Sequence, residues 1–391
     1  MNPHRHAWGF AYDMPFAQMV AIAMFIGILM TKEKLHFPLN RVTIVWLVFI
    51  LWCLVATIFA INMSGALDEL DRFVKIQIVT ACSLLLLTSR DRIIQLVWVI
   101  VVSIGFYGFK GGIHSIITGM SGRVSGPPGS FIEGNNELGL ALLMIVPLIY
   151  FLILHTEKKY VWWFLWLMIG LCIAAVIGTF SRGAFLAGMV TLFFLWLGMK
   201  AKTKVIIAGV MATAIIVSLP MIPDSWFDRM DTIETYEEDG SAMGRINAWH
   251  FAFNLANDRP LTGGGFRAFT PDAFYLYAPD PEDHHDAHSI YFEVLGELGW
   301  VGLFLFLLLW LLMHLEARYI KMKTKNDSEK KWMGDLALMC QVSLIAYLTG
   351  GAFLGLAFFD LPYHIMALIV VTGVIMRNSM KSEGGNAISR I

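Results

Sequence analysis

Long apolar runs separated by short polar connections dominate this chain. About 20 residues at ~1.5 Å rise cross a hydrocarbon core about 30 Å thick, so each such run predicts a membrane-crossing helix. The clearest is Val42–Ile61. The pattern predicts eleven spans, at 14–30, 42–61, 74–88, 93–109, 138–154, 161–180, 183–199, 204–222, 290–314, 336–357 and 361–376. The third is short and the last two nearly touch. The predicted fold class is an all-α polytopic integral membrane protein, one membrane domain over 1–391. Its one long connection, 223–289, lies between the eighth and ninth spans.

Composition agrees. Hydrophobic residues make up 57% of the 391, charged residues only 15%, and mean hydropathy is +0.64, which is a membrane composition and not that of a soluble core. The net charge of −1 gives no general attraction for nucleic acid. Cys53, Cys82, Cys172 and Cys340 all lie in apolar runs and read as small buried hydrophobes, with no CxxC pair. The first apolar run has its lysines, Lys32 and Lys34, after it, the reverse of a cleavable signal peptide.

Most of the 29 Lys and Arg fall in one set of connections, including 32–41, 90–92, 158–159, 200–204, 318–331 and 377–390. That set is cytoplasmic by the positive-inside rule, so the 223–289 connection faces outward. The same count puts Met1–Asp13 outside with no span before it. One further upstream span would give twelve and restore the usual arrangement.

Candidate chemistry gathers on the outward side. Ser181-Arg182-Gly183 sits in the tight connection between the sixth and seventh spans. A cation at bilayer mid-depth costs roughly 2.5–3.5 kcal/mol, so Arg182 belongs at the surface. A guanidinium beside a serine and backbone N–H groups suits a phosphate, although a snorkelling interfacial arginine fits the same spacing. Lys110, His114 and Arg123, before and within the 110–137 connection, could hold phosphate or acceptor, or be plain membrane-edge cations.

The long connection opens acidic, from Asp228 to Asp239, as a solvated face would. Ile246, Trp249, Phe253 and Ala256 then recur at helical spacing, which predicts an amphipathic helix over 243–256 with Arg245 in its first turn. A cation there is unfavourable unless an anion is bound. Gly263-Gly264-Gly265-Phe266-Arg267 follows as a turn, and Arg267 is a further substrate-binding candidate. No Lys-Ser/Thr follows the glycines, which argues against a nucleotide loop. The segment closes with Asp283-His284-His285-Asp286-Ala287-His288-Ser289. Clustered His and Asp could bind zinc, with His284 and His288 four apart, but no HExxH and no distant completing ligand accompany them. Alternatively one histidine is a base, since an ordinary pKa near 6.5 suits proton removal at neutral pH. His288, nearest the next helix, is the best placed.

Ser181-Arg182-Gly183, the Gly244-Arg245…Trp249 helix, Pro260-Leu261-Thr262-Gly263-Gly264-Gly265-Phe266 and His288-Ser289…Glu297-Leu298-Gly299-Trp300 follow one another in an order that resembles the O-antigen ligase and polymerase superfamily. The opening, Trp8-Gly9-Phe10-Ala11-Tyr12 included, further resembles the O-glycosylation ligases associated with exosortase A systems. The resemblance implies a GT-C-like, inverting, metal-independent glycosyltransferase of the bacterial inner membrane, with no cofactor. It would move a glycan from undecaprenyl diphosphate, on the periplasmic side, to lipid A core or protein. It implies Arg182, Arg245 and His288 as the site residues. The family's asparagine motif corresponds to Gly134-Asn135-Asn136-Glu137, without the usual proline, and adds Asn135. Where the family has His-Asn, this chain has His288-Ser289.

The residues' own chemistry is compatible. A departing diphosphate carries about two charges, and each charge–charge contact near 4 Å is worth roughly 4 kcal/mol at an effective dielectric of 20. Arg182 and Arg245 can supply those contacts, and His288 can take the acceptor's proton. A polymerase, a flippase for the same lipid-linked glycan and a zinc protease are the rival readings. A flippase would need polar residues inside the spans, which are poor in them.

Overall fold

A computed structural model describes residues 14, 16–120, 122–198 and 240–388. The N-terminal motif, the predicted span 204–222 and the acidic opening of the long connection lie outside the described residues.

The chain folds as α1 (Phe16–Met30), α2 (Arg41–Ile58), α3 (Met63–Leu86), α4 (Arg90–Ile117), α5 (Asn135–His155), α6 (Lys159–Gly178), α7 (Arg182–Gly198), α8 (Gly240–Asp258), α9 (Pro271–Tyr277), α10 (Ile290–Thr324), α11 (Lys331–Gly350) and α12 (Asp360–Ile388). It is an all-helical polytopic membrane protein. Among the described residues, seven helices are long and apolar enough to cross a membrane (α2, α4, α5, α6, α10, α11, α12), and α1 and α7 are shorter apolar helices.

Local signals fix the helix starts. Asn40 and Thr43 form a reciprocal capping box on α2, and Ser89 caps α4. Two predicted boundaries are corrected. The third span, expected at 74–88, is the end of the longer α3, whose first half carries Asp68, Glu69, Asp71 and Arg72. Those charges hid the first half, because Glu69 and Arg72 turn inward to a polar site. Likewise α4 runs on to Ile117, so Lys110 and His114 stand on a helix and not in a connection.

Helix α5 is the hub, with α4, α6, α7 and α11 packed around it. Pro147 lies inside it, and a proline removes one helical N–H and crowds the turn before it. Ser343 of α11 donates to the Met144 carbonyl in that turn, at 2.6 Å. A second group has α10 at its centre, flanked by α2, α8, α11 and α12. Apolar side chains such as Val99, Trp163, Phe304 and Leu311 are exposed around the bundle, as a lipid-facing surface requires.

The starts of α5, α7 and α10 and the connection between α11 and α12 line shared cavities, so they lie at one end of the bundle, with the finishes of α4 and α6 beside them. This is the end opposite the Lys/Arg-rich connections. The short segment 351–359 between α11 and α12 folds back into the bundle there, with most of its side chains buried.

Candidate functional site

The connection before α7 is built to present an arginine. Ser181 Oγ accepts from the Ala184 amide at 3.1 Å, capping α7 so that Arg182 is its first residue. Asn135 Nδ2 donates to the Thr179 carbonyl at 2.7 Å, tying the start of α5 to this turn. Phe180 takes φ 53° to make the corner. Arg182, Arg245 and Arg123 line one cavity of about 110 Å³, together with Asn135, Asn136 and Phe353. Three guanidiniums around one small space are chemistry for an anion with several oxygens. Of the other groups predicted to hold phosphate or acceptor, Lys110 and His114 are exposed on α4 and do not line the cavity, and neither does Arg267.

Arg245 comes from α8. That helix begins at Gly240, earlier than periodicity predicted, so Arg245 stands beyond the first turn. The helix-dipole reasoning therefore passes to Arg182, which does occupy a helix start. Two further α8 side chains hold the histidine segment. Asn247 donates to the carbonyls of Asp280 and Asp283 at 2.8 and 2.9 Å and accepts from the Asp280 amide at 2.9 Å. Trp249 donates to the Ala287 carbonyl at 2.8 Å, and its ring stacks on Phe292 with centroids 4.9 Å apart.

The structure separates the three histidines. His285 pairs with Asp283 at 2.7 Å on the surface, and His284 lies beside the Phe274 ring, also exposed. His288 is half-buried with φ 41°, in the left-handed region where histidine is tolerated better than most residues. Burial and then the nearby Arg245 charge hold its pKa below the ordinary 6.5, so the imidazole is neutral at neutral pH. Arg245 also acts electrostatically on Glu137.

His288 and Glu137 line a second cavity, about 200 Å³, beside the arginine cavity. Its walls bring together groups far apart in sequence. Arg267 donates from Nε and Nη2 to Glu69 of α3 at 3.0 and 2.6 Å, and its amide donates to Glu297 at 2.8 Å. Glu293 accepts from the Ala357 amide at 3.1 Å. Arg72 lies 3.5 Å over the Phe131 ring, and both also border a third, largely apolar cavity of about 430 Å³ along α3 and α4. Segment 351–359 walls both polar cavities, with Phe353 and Leu354 on one and Gly355 and Phe358 on the other.

The triple glycine has a structural task. Helix α10 breaks at Gly299, φ 68°. The carbonyls exposed by the break accept from Gly264 N at 2.8 Å (Gly296), Gly265 N at 2.8 Å (Glu297) and Trp52 Nε1 at 3.1 Å (Leu298). Trp300 N donates to the Pro260 carbonyl at 2.9 Å instead of into its own helix. A Cβ on Gly263 would lie 2.5 Å from the Gly296 carbonyl, and one on Gly299 2.6 Å from that of Leu261. These contacts occupy the glycine amides of Gly264 and Gly265 and set Arg267 against Glu69.

Glu69, Arg72 and Glu293 line the second cavity although the sequence reading did not single them out, and Glu137, Asp286 and Glu297 stood within quoted motifs without being named as site residues. The available signal was charge placed one to two turns inside a helix, at 69, 293 and 297.

Comparison with known families gives two matches. Residues 167–307 match the family described as O-antigen ligase, and residues 1–157 match a family of unknown function. No curated protein matches the chain. The O-antigen ligase superfamily resemblance read from the motifs thus holds over 167–307, which contains Arg182, Arg245, Arg267 and His288. The remaining wall residues Glu69, Arg72, Arg123, Asn135 and Glu137 lie in the other matched stretch.

Proposed function

We propose, from the match of residues 167–307 to the O-antigen ligase family, that the protein transfers a glycan from undecaprenyl diphosphate to an acceptor hydroxyl, of lipid A core or protein. The observation that carries this reading is the meeting of Arg182, Arg245 and Arg123 at one cavity, with His288 neutral and within reach of the Arg245 charge. The reaction takes place at the bundle end opposite the basic connections, which is the periplasmic face of a bacterial inner membrane under the positive-inside rule.

The chemistry follows from these groups. The donor diphosphate sits among the guanidiniums, which neutralise the charge that grows as the bond between the anomeric carbon and the phosphate oxygen breaks. His288 removes the proton of the acceptor hydroxyl as its oxygen forms the new bond to the opposite face of that carbon, which inverts the configuration. The products are the glycosylated acceptor, undecaprenyl diphosphate and a protonated His288, which returns its proton to solvent. The sugar is already activated, so residues that bind, orient and move one proton are sufficient.

The test is purified protein in nanodiscs with lipid-linked glycan and a hydroxyl acceptor, followed by mass spectrometry. Glycosylated acceptor with inverted configuration, unaffected by chelators, is expected. Growth of the donor's own glycan would make the protein a polymerase. Movement of intact donor across the bilayer with no bond change would make it a flippase.

A further inference from the structure

The cavity that His288 shares with the buried carboxyls differs in kind from its neighbour. Five carboxyl side chains, Glu69, Glu137, Asp286, Glu293 and Glu297, face two guanidiniums. Most already have protein partners: Glu69 with Arg267, Glu293 with the Ala357 amide, and Glu297 Oε1 with the Arg267 amide. Glu297 Oε2 has none, although the residue is only 5% exposed. A buried oxygen without a hydrogen bond costs roughly 1–3 kcal/mol, which a ligand donating to it would recover. Such a carboxyl suits a hydroxyl or ammonium donor, whereas the excess of carboxyls disfavours phosphate or carboxylate. The rings of Phe131, Phe269 and Phe358 line the same space and offer apolar faces. Its volume, about 200 Å³, is below the roughly 300–1,000 Å³ of sites for drug-sized ligands, and so fits a single small ring.

We infer that this chamber is the acceptor subsite. It takes the terminal ring of an uncharged sugar or an amino sugar, with Glu297 Oε2 accepting a hydrogen bond from a ring hydroxyl, and it turns away acceptor ends that bear carboxylate or phosphate. The inference rests on the glycan-transfer reading above. Donor and acceptor are thereby sorted by charge: the diphosphate to the arginine cavity, the hydroxyl-rich ring to the acidic one. His288, Arg245 and Glu137 stand between them.

The experiment uses the full chain in nanodiscs with lipid-linked donor and five acceptors: a neutral hexoside, a hexosaminide, a hexuronide, a phosphorylated hexoside and a serine peptide. The first two should be glycosylated, with kcat/KM at least roughly tenfold above the other three. Glu297→Gln should raise the hexoside KM roughly tenfold and leave the donor KM unchanged. Asp286→Asn, on the exposed rim, should narrow the gap between hexoside and hexuronide without disturbing the fold. If Glu297→Gln fails to fold, judged by thermal unfolding, Asp286→Asn decides. Equal use of the hexuronide or the peptide overturns the acceptor inference alone, and so does a Glu297→Gln effect confined to the donor KM. A wild-type protein that consumes no donor with any acceptor sinks the glycan-transfer reading and this inference with it.

Discussion

The indole of Trp249 donates to the carbonyl of Ala287, the residue before His288, at 2.8 Å. One side chain of the amphipathic helix thus holds the backbone that aims the proposed base. Trp249→Phe keeps an aromatic ring against Phe292 but removes the hydrogen bond, at a cost of about 1 kcal/mol. The kcat should fall several-fold with the donor KM nearly constant, measured by steady-state transfer. A raised donor KM with normal kcat would place Trp249 in donor binding instead.

Arginine and lysine should not be interchangeable at 182 and 245. Lysine keeps the charge but loses the planar two-pronged contact to phosphate oxygens. Arg182→Lys and Arg245→Lys should each reduce transfer roughly 10- to 100-fold, the equivalent of about 1.5–3 kcal/mol for a charged hydrogen bond. Lys110→Ala, at a position outside the arginine cavity, should change transfer little. Normal transfer by Arg182→Lys would make Arg182 an interfacial snorkelling residue.

His288→Ala should reduce turnover by roughly 10²–10⁴-fold while donor binding persists, whereas His284→Ala and His285→Ala should do far less. The pH profile carries its own sign. Burial and Arg245 disfavour imidazolium, so the base form persists below the ordinary 6.5. The rate should be level through neutral pH and fall only as acid passes below 6.5. Arg245→Gln removes one of the depressing causes, so its acid limb should move to higher pH even though its rate is lower. A wild-type acid limb above 6.5 would contradict the assignment.

The break at Gly299 makes a prediction about stability. A Cβ there meets the carbonyls of Leu261 and Pro260 at 2.6 and 2.7 Å on a backbone with positive φ. Gly299→Ala should destabilise the protein by roughly 1–3 kcal/mol or abolish folding. Gly170→Ala, in α6 with nothing within 4 Å of the added carbon, should be neutral or stabilising by up to about 1 kcal/mol. Thermal unfolding of both variants checks this, and equal melting temperatures would remove the structural role given to the glycine turn.

Apolar run length made most of the spans legible, because a lipid-crossing helix has to satisfy its own backbone and cover itself with apolar side chains. The placement of Arg182 at a capped turn was equally readable, from Ser181 and Gly183 alone. What run length could not show was pairing across the chain. Arg267 and Glu69 meet with 198 positions between them, and nothing local to either residue announces it. The charged part of α3 was invisible for the same reason: Glu69 is buried because Arg267 reaches it from the glycine loop, while Asp68, Asp71 and Lys75 stay exposed. The three histidines were alike in sequence, and only the clamps from Asn247 and Trp249 send two of them to the surface and one inward.

Segment 351–359 walls both polar cavities, and among the described residues α12 follows it. During synthesis, every arginine named here and His288 are inserted well before it. A nascent chain halted after α10 would carry all of those side chains and have neither chamber closed. On the proposed function, such a half-made chain should transfer no glycan. A premature stop between α10 and residue 351 should give a chain that reaches the membrane with these charged groups present and neither cavity walled.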